Sequence, residues 1–470
     1  MKLILTILPW LGALCVLPAA ERQKPNILIV FVDDMGWADL SCFGGKAVTT
    51  RNIDRLASEG LRFTNFYVNS PICSPSRVAI TTGQYPQRWR VTSFLEERAQ
   101  NSRRGMADWL DPKAPVLARE LQKAGYGTGH FGKWHIGGQR DVGDAPLITE
   151  YGFDQSLTNF EGLGPRILPL CNAHDGKPPR KHDLGSSNLG HGPITWQDRS
   201  VITTSFVNGA LAFIDRAAAA GRPFFVNVWP DDVHSPFFPP GTRRHSKKKL
   251  ALYHAVLESM DEQLAPLFDR IRNDPELRDN TLILIASDNG PEPGAGSSAP
   301  LKGNKGYLHE GGIRSPLIVW SPGLLAKGKA GSINSTAFFS SIDLNASLYQ
   351  VAGIQPVARL DGETLAETLL GKSESGRKSP LFFRRPPDRP GTADDPDLAV
   401  RDGPWKLVCA YDGSRIRLHD LKADPAERTD LSADHPEIAE RLRRGLLDWN
   451  KTLPPDKSIA EPRKKTAKAR

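Results

Sequence analysis

Short, wholly apolar runs alternate along this chain with longer stretches of helical period, and polar clusters stand where the apolar runs stop. Residues 26–32 are rich in Ile and Val and end at Asp33-Asp34, the pattern of a parallel strand buried on both faces. Residues 282–286 repeat it and end at Ser287-Asp288-Asn289-Gly290. The run 126–131 leads into Gly132-Lys133-Trp134-His135-Ile136-Gly137, and 223–229 ends near His234. Residues 63–68 make a further strand, and 313–320 another, interrupted by Pro316. Between them lie helical stretches at 53–58 with Gly60 as C-cap, 116–124 stopped by Gly125, 200–220 and 249–272. This alternation predicts an α/β sheet sandwich, in which ligands gather beyond the carboxyl ends of the strands. The four polar clusters around residues 33, 133, 234 and 288 fall at such ends.

Two stretches, 160–192 and 371–397, break the alternation with Gly, Pro and charge. The first reads as an inserted loop shaping a pocket, since its Cys171, His174 and His182 are too loosely spaced for a zinc site. The second reads as a linker from a large domain, 24–370, into a C-terminal subdomain, 398–453. There, 405–410 and 415–421 predict antiparallel strands and 435–451 a helix. Residues 454–470 form a basic tail. At the other end, Lys2, the apolar residues 3–8 and 10–17, and Pro18-Ala19-Ala20 read as a signal peptide over 1–20. That predicts an exported protein, periplasmic or secreted. No later stretch is apolar for long enough to span a bilayer.

Charge changes the picture little. The net +8 collects at Arg243-Arg244, Lys247-Lys248-Lys249 and 457–470, with no interleaved aromatics to stack bases. A nucleic-acid partner is not expected; such clusters suit solubility or attraction of a polyanionic substrate. Past the leader only Cys42, Cys73, Cys171 and Cys409 remain, so disulfides are not the framework of the fold.

Candidate chemistry centres on Cys73-Ser74-Pro75-Ser76-Arg77, which has the form Cys-x-Pro-x-Arg. It sits where a strand gives way to the small-residue segment 78–82, so a helix starting there points amide donors at an anion. Asp33, Asp34, Asp288 and Asn289 form two pairs of oxygen ligands at strand ends. Hard oxygen donors without sulfur or imidazole suit Ca²⁺ or Mg²⁺. Lys133 and His135, His234 in Val-His-Ser-Pro, and Lys305 in Gly-Asn-Lys-Gly add the cations and imidazoles that an anionic ester demands.

Together with Glu310-Gly311-Gly312-Ile313-Arg314 and the run 418–427, these motifs resemble those of the type I, formylglycine-dependent sulfatases, which include bacterial arylsulfatases and carbohydrate sulfatases. The resemblance covers residues 24–450, roughly the whole predicted folded region. It implies an alkaline-phosphatase-like fold: a mixed central sheet flanked by helices, with a smaller C-terminal domain of antiparallel sheet plus helix. It also implies that a formylglycine-generating enzyme oxidises Cys73 to 3-oxoalanine (formylglycine), which works as its hydrate. One hydroxyl attacks sulfur and expels the alcohol, leaving a covalent sulfate ester; loss of the second hydroxyl's proton then releases sulfate and restores the aldehyde.

By the same resemblance, Asp33, Asp34, Asp288 and Asn289 hold one Ca²⁺, with Mg²⁺ the lesser candidate. Arg77 bonds the hydrate, Lys133 lies near the nucleophile and sulfate, and His135 is the base for elimination. His234 and Lys305 hold the sulfate and the leaving oxygen, with His234 the better candidate for the acid. Arg314 is structural, and Tyr307 and His309 lie within reach of substrate without an assigned role. The implied activity is sulfuric ester hydrolysis, with a sulfated saccharide as the expected substrate. Two alternatives are a phosphonate or phosphate ester hydrolase of the same superfamily and a non-catalytic binder of sulfated glycans. Asp231-Asp232, beside His234, read as local negative charge that bears on substrate choice.

Overall fold

The computed structural model describes residues 24–171, 177–386 and 395–456. The predicted signal peptide, His174 and the tail from residue 457 lie outside the described residues. The main sheet runs in the order Ser332–Asn334, Leu61–Tyr67, Arg314–Trp320, Thr281–Ser287, Asn26–Val32, Phe224–Trp229, Gly127–Gly132, Gln155–Leu157, with Phe339–Ser340 also paired to Leu61–Tyr67. All of its pairings are parallel except those of Arg314–Trp320, which runs against both neighbours. The sheet is therefore mixed. Its register against Leu61–Tyr67 shifts between Ser315 and Leu317, the place where Pro316 has no N–H to give to a ladder.

Period-two alternation places the two faces of each strand in different cores. Ile27, Ile29 and Phe31 pack with the helices Cys73–Thr82, Leu117–Lys123 and Ser341–Val351. Leu28, Val30 and Val32 pack with Arg51–Glu59, Ile202–Ala219 and Lys249–Asn273. Helices on both faces explain why the central strands are mostly apolar, with exceptions such as Asn227 and His130 that are buried as well.

The structure departs from the sequence reading at three places. Gly60 follows the helix Arg51–Glu59 but is extended, with φ of −114°, not left-handed. Glycine is needed there because a Cβ would lie 2.4 Å from the Val319 carbonyl oxygen. The stretch 160–192, expected to be a loop, contains the strands Arg166–Cys171 and Arg180–Lys181, which join Ile194–Asp198 in a three-stranded sheet. The stretch 371–397, expected to link, supplies Leu381–Arg384 as the first strand of the C-terminal sheet. That sheet continues through Leu398–Asp402, Trp405–Cys409 and Arg417–Asp420, antiparallel throughout. The helix Pro436–Lys451 covers it with Leu442, Leu446 and Trp449, in a cluster that also takes Tyr67, Leu308 and Ile313 from the larger domain. Cys42, Cys73, Cys171 and Cys409 are all free thiols.

Candidate active site

Register builds the site. Val32 pairs with Ser287 across adjacent parallel strands, so Asp33-Asp34 and Asp288-Asn289 leave the sheet side by side. Gly132 pairs with Trp229 further along the same edge, which brings Lys133, His135 and His234 to it. Arg314 pairs with Tyr67, so the loop carrying Lys305 enters at this edge and the segment before Cys73 leaves from it. Gly132 allows the close approach: its φ is +115° and a Cβ would lie 2.2 Å from the Trp229 carbonyl oxygen.

Asp33, Asp34 and Asp288 offer carboxylate oxygens within 4.8 Å of one another, all buried. Asn289 Nδ2 donates to Asp34 Oδ1 at 2.6 Å, while its Oδ1 is buried without a partner. Four oxygen donors with no sulfur or imidazole among them match a hard divalent cation. Asp34 is held at a φ of 59°, a left-handed conformation that costs a non-glycine residue about 1 kcal/mol or more. Burial together with Asp33 pushes Asp288 well above the ordinary carboxylate range, and burial also raises Asp34. Burial thus favours the protonated form of both, and a divalent cation would offset it.

Protein cations surround these carboxylates. Lys133 Nζ lies 2.6 Å from Asp33 Oδ2 and 2.9 Å from Glu161 Oε2. Lys305 Nζ lies 2.6 Å from Asp34 Oδ2. Arg77, wholly buried, sits 2.8 Å from Asp288 Oδ2 and 3.4 Å from Asp33 Oδ1. Its guanidinium carbon lies 5.2 Å from the Trp229 ring centroid, which fixes the fork's plane. Asp33 is consequently held well below the usual carboxylate range, burial being outweighed by Lys133, His234 and Arg77.

Cys73 is the first residue of the helix Cys73–Thr82. The thiol is buried, and burial raises its pKa although Lys133 and Lys305 work in the other direction. An unmodified thiol here stays protonated at neutral pH and is a weak nucleophile. His234 and Lys305 are more open, their side chains 27% and 21% exposed. Among the site's cations and imidazoles they are the two open to solvent. His234 Nδ1 lies 2.7 Å from the Ser235 carbonyl oxygen; it therefore carries the hydrogen, leaving Nε2 as the acceptor 3.9 Å from Asp34 Oδ2.

All ten residues singled out from the sequence thus lie in one connected cluster. Residues 25–354 match the sulfatase family model, and residues 303–452 match a model described as N-sulphoglucosamine sulphohydrolase, C-terminal. The chain belongs to the sulfatase family. It is a sulfuric ester hydrolase with the mixed α/β fold of that family. It is 31% identical to arylsulfatase A of Homo sapiens, over 90% of this chain and 82% of the relative. It is 28% identical to N-acetylgalactosamine-6-O-sulfatase of Bacteroides thetaiotaomicron, over 96% of this chain and 100% of the relative. Among solved structures, Ps i-CgsB in complex with k-i-k-neocarrahexaose matches with a TM-score of 0.74 and 25% identity, covering 91% of this chain and 93% of the other.

The sulfatase site also contains residues that sequence reasoning did not find. Glu161 contacts both Lys133 and His135, yet it belongs to no motif and opens the stretch read as a loop. Arg199 bonds Asp231 through Oδ2 at 3.1 Å and also bonds the Asp231, His234 and Pro236 carbonyls, tying down the His234 segment. That pairing corrects the reading of Asp231-Asp232 as local negative charge that bears on substrate choice. Asp231 is neutralised internally, and Asp232 is buried against the Thr203 hydroxyl. Lys406, from the C-terminal sheet, lies 2.9 Å from Glu310 and 3.0 Å from Glu427. Glu427 also accepts from the Glu310 backbone N–H at 2.6 Å and faces His309 Nδ1 at 3.3 Å. His309 therefore braces the segment after Lys305, and Arg314 bonds the Thr64 carbonyl at 2.6 Å.

Proposed function

We propose that this sulfatase removes sulfate from a sulfated saccharide, using an aldehyde derived from Cys73 beside a calcium ion. The observation carrying the reading is the buried Cys73 thiol at a helix N-terminus among Lys133, Lys305 and Asp33, where burial raises its pKa. The thiol is unsuited to attack, while its surroundings suit an anion. A formylglycine hydrate at this position supplies two hydroxyls on one carbon, one to take the sulfuryl group and one to expel it. Calcium held by Asp33, Asp34, Asp288 and Asn289 would supply charge for the sulfate oxygens. The wholly buried donor set favours it over Mg²⁺, which gives up its waters reluctantly.

The chain's own residues then divide the work. Arg77 and Lys133 offset negative charge at residue 73, and Lys305 holds a sulfate oxygen at the open side. Burial, then the charges of Lys305 and Lys133, keep His234 well below its ordinary pKa. An incoming sulfate offsets those two cations, lets Nε2 take a proton, and makes His234 the acid for the departing alcohol. His135 is the base that frees the second hydroxyl.

The relatives' names concern an aminosugar 6-O-sulfate and aryl sulfates, and one neighbour is in complex with k-i-k-neocarrahexaose. A saccharide substrate for this chain rests on that likeness. Residues 24–370 form the catalytic unit of this reading, and 398–453 with Leu381–Arg384 the C-terminal subdomain. The leader at 1–20 supports export to the periplasm or beyond, and maturation calls for a formylglycine-generating enzyme. The test is turnover of matched aryl sulfate and aryl phosphate, then of defined sulfated saccharides, by aldehyde-verified enzyme. Sulfate release with strong preference over phosphate is expected; a large preference for phosphate would reverse the assignment.

A further inference from the structure

Glu161 closes on His135 twice. The His135 backbone N–H donates to the Glu161 carbonyl at 2.7 Å, and Glu161 Oε2 lies 3.1 Å from His135 Nδ1. On the other side of the ring, Nε2 lies 3.1 Å from the Leu95 carbonyl oxygen. A carbonyl only accepts, so Nε2 carries the hydrogen of the neutral ring. Nδ1 is then the one ring atom able to take a proton, and it is buried without a donor. Lys133, 2.9 Å from Glu161 Oε2, keeps that carboxylate ionised and in place. Two bare acceptors 3.1 Å apart repel, whereas a proton on Nδ1 turns the same contact into an attraction between opposite charges. His135 is itself held at a φ of 53°, the kind of local strain that persists only where its surroundings fix it.

We propose that Glu161 is the positioning residue that makes His135 Nδ1 a usable base, by holding the ring in place and stabilising the imidazolium formed as sulfate is released. The inference rests on the reading of His135 given above. In that step the proton passes from a hydroxyl on the residue-73 side chain to Nδ1. The O–H electron pair closes a carbonyl, the C–O pair leaves with sulfate, and the proton later returns to water.

The groups acting on His135 are Glu161, Lys133 and Asp33, and those acting on Glu161 are His135, Lys133, His234 and Asp33. Burial lowers the ring to about 4, and Glu161 is the strongest influence opposing it. Despite its own burial, Glu161 is held at about 2 by His135 and Lys133. Removing the carboxylate makes the ring a weaker base.

The test is the pH profile of kcat on an aryl sulfate with a good leaving group, so that sulfate release is the slower stage. Glu161→Gln, Glu161→Asp, His135→Ala and the double variant His135→Ala/Glu161→Gln are compared as aldehyde-bearing enzymes. Glu161→Gln is expected to lower kcat about 10- to 100-fold, the scale for losing the partner that orients a working imidazole. It also moves the acid limb to lower pH, while Glu161→Asp keeps the charge and recovers part of the rate. Because Glu161 acts through His135, adding Glu161→Gln to His135→Ala costs nothing further. Losses that multiply in the double variant, or an acid limb that stays in place while kcat falls, overturn the inference. If His135→Ala keeps the wild-type kcat, the inference and the assignment of His135 as base both fall. If His135→Ala is crippled and only the Glu161 results disagree, the inference alone falls.

Discussion

Val32 and Ser287 are direct partners on adjacent parallel strands, and this single pairing sets Asp33-Asp34 against Asp288-Asn289. Asp34 N–H donates to Asp288 Oδ1 at 3.1 Å, which ties the two strand ends together. A cation held by these residues would act on fold and chemistry at once. Chelation is expected to lower both the melting temperature and turnover, with calcium restoring them in a concentration-dependent way. Asp288→Asn is expected to abolish calorimetric calcium binding and cost ~100-fold or more in kcat/KM, the scale for a preorganised electrostatic partner. Full activity after exhaustive chelation would rule out a metal role.

Cys73→Ser keeps the size of the side chain at the helix start, so its melting temperature is expected to stay close to that of wild type. It retains a single hydroxyl and no way to expel sulfate. At most one alcohol is expected per chain, with sulfate left on the protein, measured by rapid-quench kinetics and intact mass. Sustained turnover by this variant would sink the elimination step.

His234 lies at the open side with Nε2 as acceptor. If it protonates the leaving alcohol, His234→Ala loses little on sulfates of acidic phenols and much on sugar sulfates. The expected difference between the two classes is about 10²-fold or more, the contribution of one general acid. Equal losses on both would assign it to sulfate binding alone.

Burial, reinforced by Asp231, raises Asp232 to about 7. Between its ordinary value near 4 and this one, the folded chain holds a proton that the unfolded chain has lost. Stability therefore falls as pH rises from about 4 to 7 and levels off above, by at most about 4 kcal/mol at ~1.4 kcal/mol per unit. Asp232→Asn is expected to flatten that slope in denaturant titrations at pH 5, 6 and 7.5. An unchanged slope would show that another group carries it.

Lys406 is wholly buried between Glu310 and Glu427. Lys406→Met removes the cation that bridges two buried carboxylates, leaving Glu310 with Arg314 at 3.5 Å, and is expected to destabilise the fold by about 3–5 kcal/mol. Activity should fall with it below the melting temperature, because the same cluster braces the segment following Lys305. Unaltered denaturation would mean the triad is solvated in solution.

The legible part of this protein was the part written locally. Apolar runs ending in Asp33-Asp34, Gly132 to His135 and Asp288-Asn289 announced both the sheet and the edge at which its ligands gather, because a doubly covered strand is mostly apolar until it ends. Glu161, Arg199 and Lys406 carried no comparable signal. Each is a charged residue whose partner lies far away in sequence, so its burial follows from tertiary packing alone. The small sheet of Arg166–Cys171, Arg180–Lys181 and Ile194–Asp198 was hidden for a related reason: its strands are short, partly polar and interrupted by Pro and Gly. Leu381–Arg384 was masked by the prolines around it. Asp231-Asp232 misled, since adjacency in sequence to His234 says nothing about which way a side chain points.

The central claim is that residue 73 works as an aldehyde hydrate and not as a thiol. It is tested most directly by peptide mass spectrometry on purified enzyme whose turnover has been measured on the same sample. The account predicts that the peptide spanning Cys73 has exchanged its sulfur for a carbonyl oxygen, and that specific activity across preparations scales with the fraction so converted. Full turnover by protein carrying only the intact cysteine would contradict it.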